Sequence, residues 1–210
     1  MTKLFLDIET IPAEAEKHEI LKKMHKKRLE DGRRVPESFE EYLGSTNFDG
    51  AFGRIACISF ALEDNLVQSL SGDEKKMLQD FWAIAKTATL FVGFNVMDFD
   101  LRFIYQRSVV LNVRPTQDLS FARYRNSPIF DLMYEWSKWN MQAKISLDSL
   151  AHALGLPSSK GGEIEGKNVA QAFEDGRIAE ICRYCEADVE LTRKIYRRII
   201  FDKGEQEELF

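Results

Sequence analysis

The stretch that most restricts the fold is Lys3-Leu4-Phe5-Leu6-Asp7-Ile8-Glu9-Thr10, an apolar run carrying two carboxylates two residues apart. The run predicts a buried strand. Successive strand side chains alternate faces, so Asp7 and Glu9 share one face while Leu6 and Ile8 point into the opposite layer. At about 4 Å and an effective dielectric near 20, two such charges repel by roughly 4 kcal/mol. Either one carboxyl is protonated or a cation lies between them. Hard oxygen donors of this kind suit magnesium or manganese. The alternative is a strand that simply ends in polar residues.

A chain of 210 residues is long enough for one compact α/β domain with a full core and an insertion. Its net charge of −5 argues against a protein that coats nucleic acid by bulk electrostatics, while leaving room for an enzyme that grips one strand end. The three cysteines Cys57, Cys182 and Cys185 suggest no disulfide framework, and no apolar run approaches membrane-spanning length. With no signal-like N-terminus, the expected location is a reducing cytoplasm, away from membranes.

After Ile11-Pro12 the chain enters a charged segment in which Lys17, Lys22, Lys23, Lys26, Lys27, Arg28, Arg33 and Arg34 outweigh Glu19, Glu30 and Asp31. Ile20, Leu21, Met24 and Leu29 approximate helical spacing, which predicts an exposed helix packed by one narrow stripe. Residues 13–53 therefore read as a helical insertion between the first two strands. It is either a nucleic-acid arm or a solvated helix face.

Arg54 to Leu62 and Leu66 to Leu70 read as a hairpin turning at Glu63-Asp64-Asn65, and a helix follows from Gly72-Asp73 through Ile84. Thr89 to Phe94 reads as a buried strand ending at Asn95, followed by a helix from Asp98 to Val109. This order predicts a mixed sheet flanked by helices, five-stranded with the first strand central, and functional residues where strands stop. Asp98 reads as a helix cap. Near the C-terminus Tyr184 and Asp188 are i and i+4 on a long amphipathic helix reaching about Ile200, hence on one face.

Taken together, Asp7-x-Glu9, Asn95-x-x-x-Phe99-Asp100 and Tyr184-x-x-x-Asp188 occur in that order. This pattern resembles the DEDD superfamily of 3′-to-5′ exonucleases on the ribonuclease-H-like α/β fold, in its tyrosine-bearing subgroup. More narrowly it resembles the proofreading exonuclease domain of family B DNA polymerases, as a stand-alone protein. The segments Ser146 to Leu150 and Leu154 to Pro157 look like the same group. The histidine subgroup would need His where Arg183 stands.

The resemblance implies a single exonuclease domain over residues 1–201, with 202–210 as a tail, that removes nucleotides from the 3′ end of single-stranded DNA by two-metal phosphodiester hydrolysis. In the family pattern Asp7, Glu9 and Asp188 hold the magnesium or manganese ion that activates the attacking water. Asp7 also bridges to a second ion that Asp100 supports, and Tyr184 orients the water or helps deprotonate it. Two divalent ions answer the need for a nucleophile at neutral pH and for charge stabilisation on both reacting oxygens. Asn95 and Phe99 are expected to shape the pocket for the terminal nucleotide, with Thr10 and the Leu6 to Ile11 backbone beside its sugar.

Other features carry less. Gly161-Gly162-Glu163-Ile164-Glu165-Gly166-Lys167-Asn168 nearly matches a phosphate-binding loop, but Asn168 replaces the required Ser or Thr and two glutamates would repel phosphates. A loop near the substrate end, with Lys160 or Lys167 touching a phosphate, is the expectation. Cys182-x-x-Cys185 has redox spacing but lies inside a helix. Asp131 is equally a site-lining acid or a helix cap, and His18, His25 and His152 receive no catalytic part. Three alternatives to single-stranded DNA hydrolysis stay open: the same chemistry on RNA, a non-catalytic nucleic-acid binding module on the same fold, and a dithiol redox protein using Cys182 and Cys185.

Overall fold

The computed structural model describes residues 1–159 and 161–202. Strand β1 (Lys3–Ile11) enters the helical insertion, α1 (His18–Glu30) and α2 (Phe39–Gly44), and the chain returns as β2 (Arg54–Leu62) and β3 (Gln68–Ser71). Then come α3 (Glu74–Ala85), β4 (Leu90–Gly93), α4 (Asp100–Val110), β5 (Ile129–Asp131), α5 (Leu132–Ser137), α6 (Leu147–Ala153), α7 (Val169–Glu174) and α8 (Ile178–Ile199). The sheet has five strands in the order β3-β2-β1-β4-β5, so β1 is central as its apolar run predicts. β1 is antiparallel to β2 and parallel to β4, which makes the sheet mixed.

Strand alternation sorts the core into two layers. Leu4, Leu6 and Ile8 bury against Phe81 and Trp82 of α3 and Leu101 and Ile104 of α4. On the other face Phe5 and Val92 pack with Leu150 of α6 and Val189 and Ile195 of α8. Fully burying one such large apolar side chain stabilises the fold by about 1.5–3 kcal/mol, so these layers fix where α4 and α8 lie on the sheet. Glu74 at the start of α3 accepts from the Ile55 amide at 2.8 Å and forms a part-buried pair with Arg107 of α4 at 2.8 Å, joining β2, α3 and α4 at one end.

Two expected details differ. Helix α4 begins at Asp100, its cap being Phe99, because Asp98 is drawn away: its carboxylate accepts the hydroxyl of Tyr134. In α1, Ile20 and Leu29 face solvent, and the buried stripe is Leu21 with His25. The His25 ring stacks on Tyr42 of α2 at 4.7 Å and bonds the Pro36 carbonyl at 2.7 Å, so a residue set among lysines becomes core once α2 covers it. Residues 203–210, most of the expected tail, lie outside the described residues. Among the described residues no helix is long and apolar enough to cross a membrane.

Candidate active site

β1 outruns its neighbour. It pairs with β4 only over Lys3–Phe5, and β4 ends at Gly93, so a cleft opens beyond the carboxyl end of β4 against the remaining residues of β1. Gly93 is required there: a Cβ would meet Val96 Cβ at 2.5 Å and the Leu6 carbonyl at 3.1 Å. The cleft has a volume of about 460 Å³, and Asp7, Glu9, Asp100 and Asp188 all line it, together with Asn95, Phe99 and Lys144.

Each acid arrives by a separate device. Asp7 and Glu9 project from the face of β1 that α8 covers. Asp100, at the first position of α4 and buried, accepts the Ile8 backbone N–H at 3.0 Å, filling the ladder position that β4 no longer reaches. Asp188 lies one turn beyond Tyr184 on α8, a helix tied to the sheet where Glu186 accepts the Ser69 hydroxyl at 2.7 Å. The turn after Gly93 places Asn95 in the left-handed region at φ 60°, where Asn is among the better tolerated residues. Its amide and that of Met97 donate to the two oxygens of Asp131, each at 3.0 Å. Asp131 also caps α5, accepting from Met133 at 3.0 Å. It is thus a helix cap and, through the same carboxylate, the clamp on the turn that carries Asn95.

Burial and mutual repulsion dominate the electrostatics. Asp7 is pushed well above the usual carboxylate range by burial, then by Cys185, Asp100, Asp188 and Glu9. Burial, Asp188 and Asp100 push Glu9 up to about 8. Asp100 rises to about 7 through burial, against the opposing hydrogen bond from Ile8 and with added repulsion from Asp131 and Asp188. Among the described residues no Lys or Arg forms an ion pair with Asp7, Glu9 or Asp100. Carboxylates raised by one another, each offering hard oxygen donors, fit a divalent cation. The sulfur of Cys185 joins the group, donating to Asp7 Oδ2 at 3.3 Å, with donor atoms of Asp7, Glu9 and Cys185 all within 4.8 Å.

Tyr184 is half-buried beside these acids, and its hydroxyl pKa is raised by burial, Asp188, Glu9 and Asp7. It opens onto a neighbouring pocket of about 250 Å³ that Ile164 and Arg183 also line. The remaining expected substrate residues divide. Asn95 and Phe99 line the acid cleft. Thr10 is buried, its hydroxyl donating to the Asn47 carbonyl at 2.8 Å, so it ties β1 to the insertion. Lys167 is exposed and pairs with Glu165 at 2.8 Å, away from the cleft lining. Lys160 lies outside the described residues.

Sequence reasoning missed two residues. Lys144 lines the cleft with its Nζ over the Tyr134 ring at 5.4 Å; its position two residues before the Ser146 cap of α6 was the only available signal. Cys185 reads as core from its helical position, and its contact with Asp7 follows from the packing of α8 on β1.

A family model described as a predicted 3′-5′ exonuclease related to the exonuclease domain of PolB matches residues 49–209. No curated protein sequence matches the chain. Among solved structures, the family B DNA polymerase from the hyperthermophilic archaeon Pyrobaculum calidifontis superposes with a TM-score of 0.64 at 16% identity. The match covers 95% of this chain and 24% of that polymerase, and at this identity it establishes the fold alone. With the family model spanning most of its length, the chain belongs to the family of predicted 3′-5′ exonucleases related to the exonuclease domain of PolB.

Proposed function

We propose that this chain is a divalent-metal-dependent 3′-to-5′ exonuclease that releases nucleotides from the 3′ end of single-stranded DNA by two-metal phosphodiester hydrolysis. The observation that carries the reading is the convergence of Asp7, Glu9, Asp100 and Asp188, from β1, α4 and α8, on one cleft. In this reading residues 1–201 act as one exonuclease domain interrupted by the insertion at 13–53.

Asp7, Glu9 and Asp188 would hold one magnesium or manganese ion, and Asp7 with Asp100 would support a second. Bound ions of this kind supply Lewis-acid activation of water and neutralise charge on the attacking and leaving oxygens. The protein's own work is positional. Asp100 is locked by the Ile8 amide, so its carboxylate keeps one orientation toward the cleft. Tyr184, one turn from Asp188, orients the water through its hydroxyl. Lys144, which lines the same cleft, offers a cation to the scissile or adjacent phosphate, while Asn95 and Phe99 bound the terminal nucleotide.

Digestion of single-stranded DNA and of RNA with the same base sequence, each with magnesium or manganese, tests the substrate. A higher kcat/KM on DNA is expected. A preference for RNA would replace the DNA reading with the exoribonuclease one.

A further inference from the structure

Phe48 is among the most exposed aromatic side chains of the described residues, 72% accessible, yet the turn that carries it is firmly anchored. The Ser45–Phe48 3-10 turn closes the insertion. Thr46 is buried, its hydroxyl oxygen accepting from the Ala13 amide at 2.9 Å and donating to the Leu43 carbonyl at 2.6 Å. The Asn47 carbonyl accepts from Thr10 on β1 at 2.8 Å. The next residues are pinned as well: a Cβ at Gly53 would meet the Thr46 carbonyl at 2.3 Å, and one at Gly50 would meet Gln106 of α4 at 2.4 Å. An apolar ring is therefore held in water by a backbone tied to β1 and crowded against α4.

Its neighbour gives it a use. The Phe48 ring lies 6.1 Å from that of Phe99, and Phe99 lines the acid cleft beside Asp100. Phe99 is itself fixed from behind by Phe103, at 5.6 Å. Two rings thus run from the cleft outward, one lining it and one on its rim. Stacking on the bases adds a grip that does not depend on the charge state of the cleft. Aromatic faces do this without sequence preference, because every base has a π-face.

We propose that Phe48 is a base-stacking residue on the rim of the cleft, extending the Phe99 surface so that the pair engages the bases of the last two nucleotides of a single-stranded 3′ end. The proposal rests on the nucleic-acid reading of this cleft, and it assigns substrate contact to the insertion, outside the stretch matched by the family model.

The test uses the full chain and a ten-residue oligothymidylate carrying 2-aminopurine as the second base from its 3′ end, with a matched oligonucleotide abasic at that position. Binding is read from the quenching of 2-aminopurine on stacking and from direct titration, in calcium and separately in EDTA. Phe48→Ala, whose fold is checked by far-ultraviolet circular dichroism, should bind the intact oligonucleotide roughly 10-fold more weakly and lose the quenching. Phe48→Trp should restore both. With the abasic oligonucleotide, Phe48→Ala and the unaltered protein should bind alike. Equal affinity and quenching for Phe48→Ala and the unaltered protein on the intact oligonucleotide would overturn the proposal, as would a Phe48→Ala defect that persists on the abasic one. An unaltered protein that binds with quenching but never cuts would sink the exonuclease reading and leave the stacking role standing. One that does not bind at all would sink both.

Discussion

The carboxylate of Asp100 accepts the backbone N–H of Ile8 at 3.0 Å, across 92 residues of chain. One oxygen thereby completes the ladder of β1 where β4 stops, while the same side chain lines the cleft. Ile8 is buried, so its N–H cannot turn to water instead. Asp100→Ala should lose about 1–3 kcal/mol of stability relative to Asp100→Asn, whose amide oxygen still accepts the bond. Both should lose nuclease activity. Urea midpoints beside activity assays check this, and equal midpoints for the two variants would contradict it.

Asp131 serves four backbone amides, those of Asn95, Met97, Met133 and Tyr134. Asp131→Ala strands donors in the buried turn after Gly93 and removes the cap of α5, so a loss of about 3 kcal/mol or more is expected. Because that turn carries Asn95 and leads to Phe99, KM should rise even at temperatures where the variant is folded. A variant that is destabilised but keeps its KM would separate the clamp from the site.

Raised carboxyls make stability depend on pH in a definite direction. Glu9 at about 8 and Asp100 at about 7 hold protons in the folded state that the unfolded chain has already released. Stability of the metal-free protein therefore falls as pH rises from the ordinary carboxylate range toward about 8. Divalent cation relieves the same repulsion. The rise in melting temperature on adding manganese in place of EDTA should be larger at about pH 8 than at about pH 5.5. An equal rise at both would mean that the cleft acids do not bind the ion.

Cys185 is buried and donates to Asp7, while Cys182 packs against the same small core of Ile11, Ala56, Ile164 and Ile181. The proposed hydrolysis assigns neither of them a part. Replacing both with Ser should lower stability by about 1–2 kcal/mol through polar groups set among apolar ones and leave a nuclease that still shortens DNA. Activity abolished in that double variant, with the fold intact, would revive a dithiol role.

Much of this was legible in sequence because period-two alternation and helical spacing encode local geometry. The limits of β2 match its largely apolar run from Arg54 to Leu62, and Asp7 with Glu9 share the face that alternation assigns them. Tyr184 and Asp188 fall on one long helix, as their spacing requires. What escaped depends on distant partners. Asp98 reads as a cap from its neighbours alone, yet Tyr134 takes its carboxylate and the helix starts two residues later. His25 looks solvated until Tyr42 stacks on it. The glycine-rich stretch before Asn168 resolves into a capping box between Glu165 and Asn168, beside which Lys167 pairs with Glu165. Long-range pairing of this kind leaves no periodic signature.

The most direct test of the central claim is digestion of a 5′-labelled single-stranded DNA oligonucleotide with magnesium or manganese, beside an Asp7→Ala control. The account predicts a ladder that shortens from the 3′ end and disappears with EDTA and with the substitution. Absence of a ladder with either ion, from protein shown to be folded, would contradict it, as would a ladder that survives Asp7→Ala.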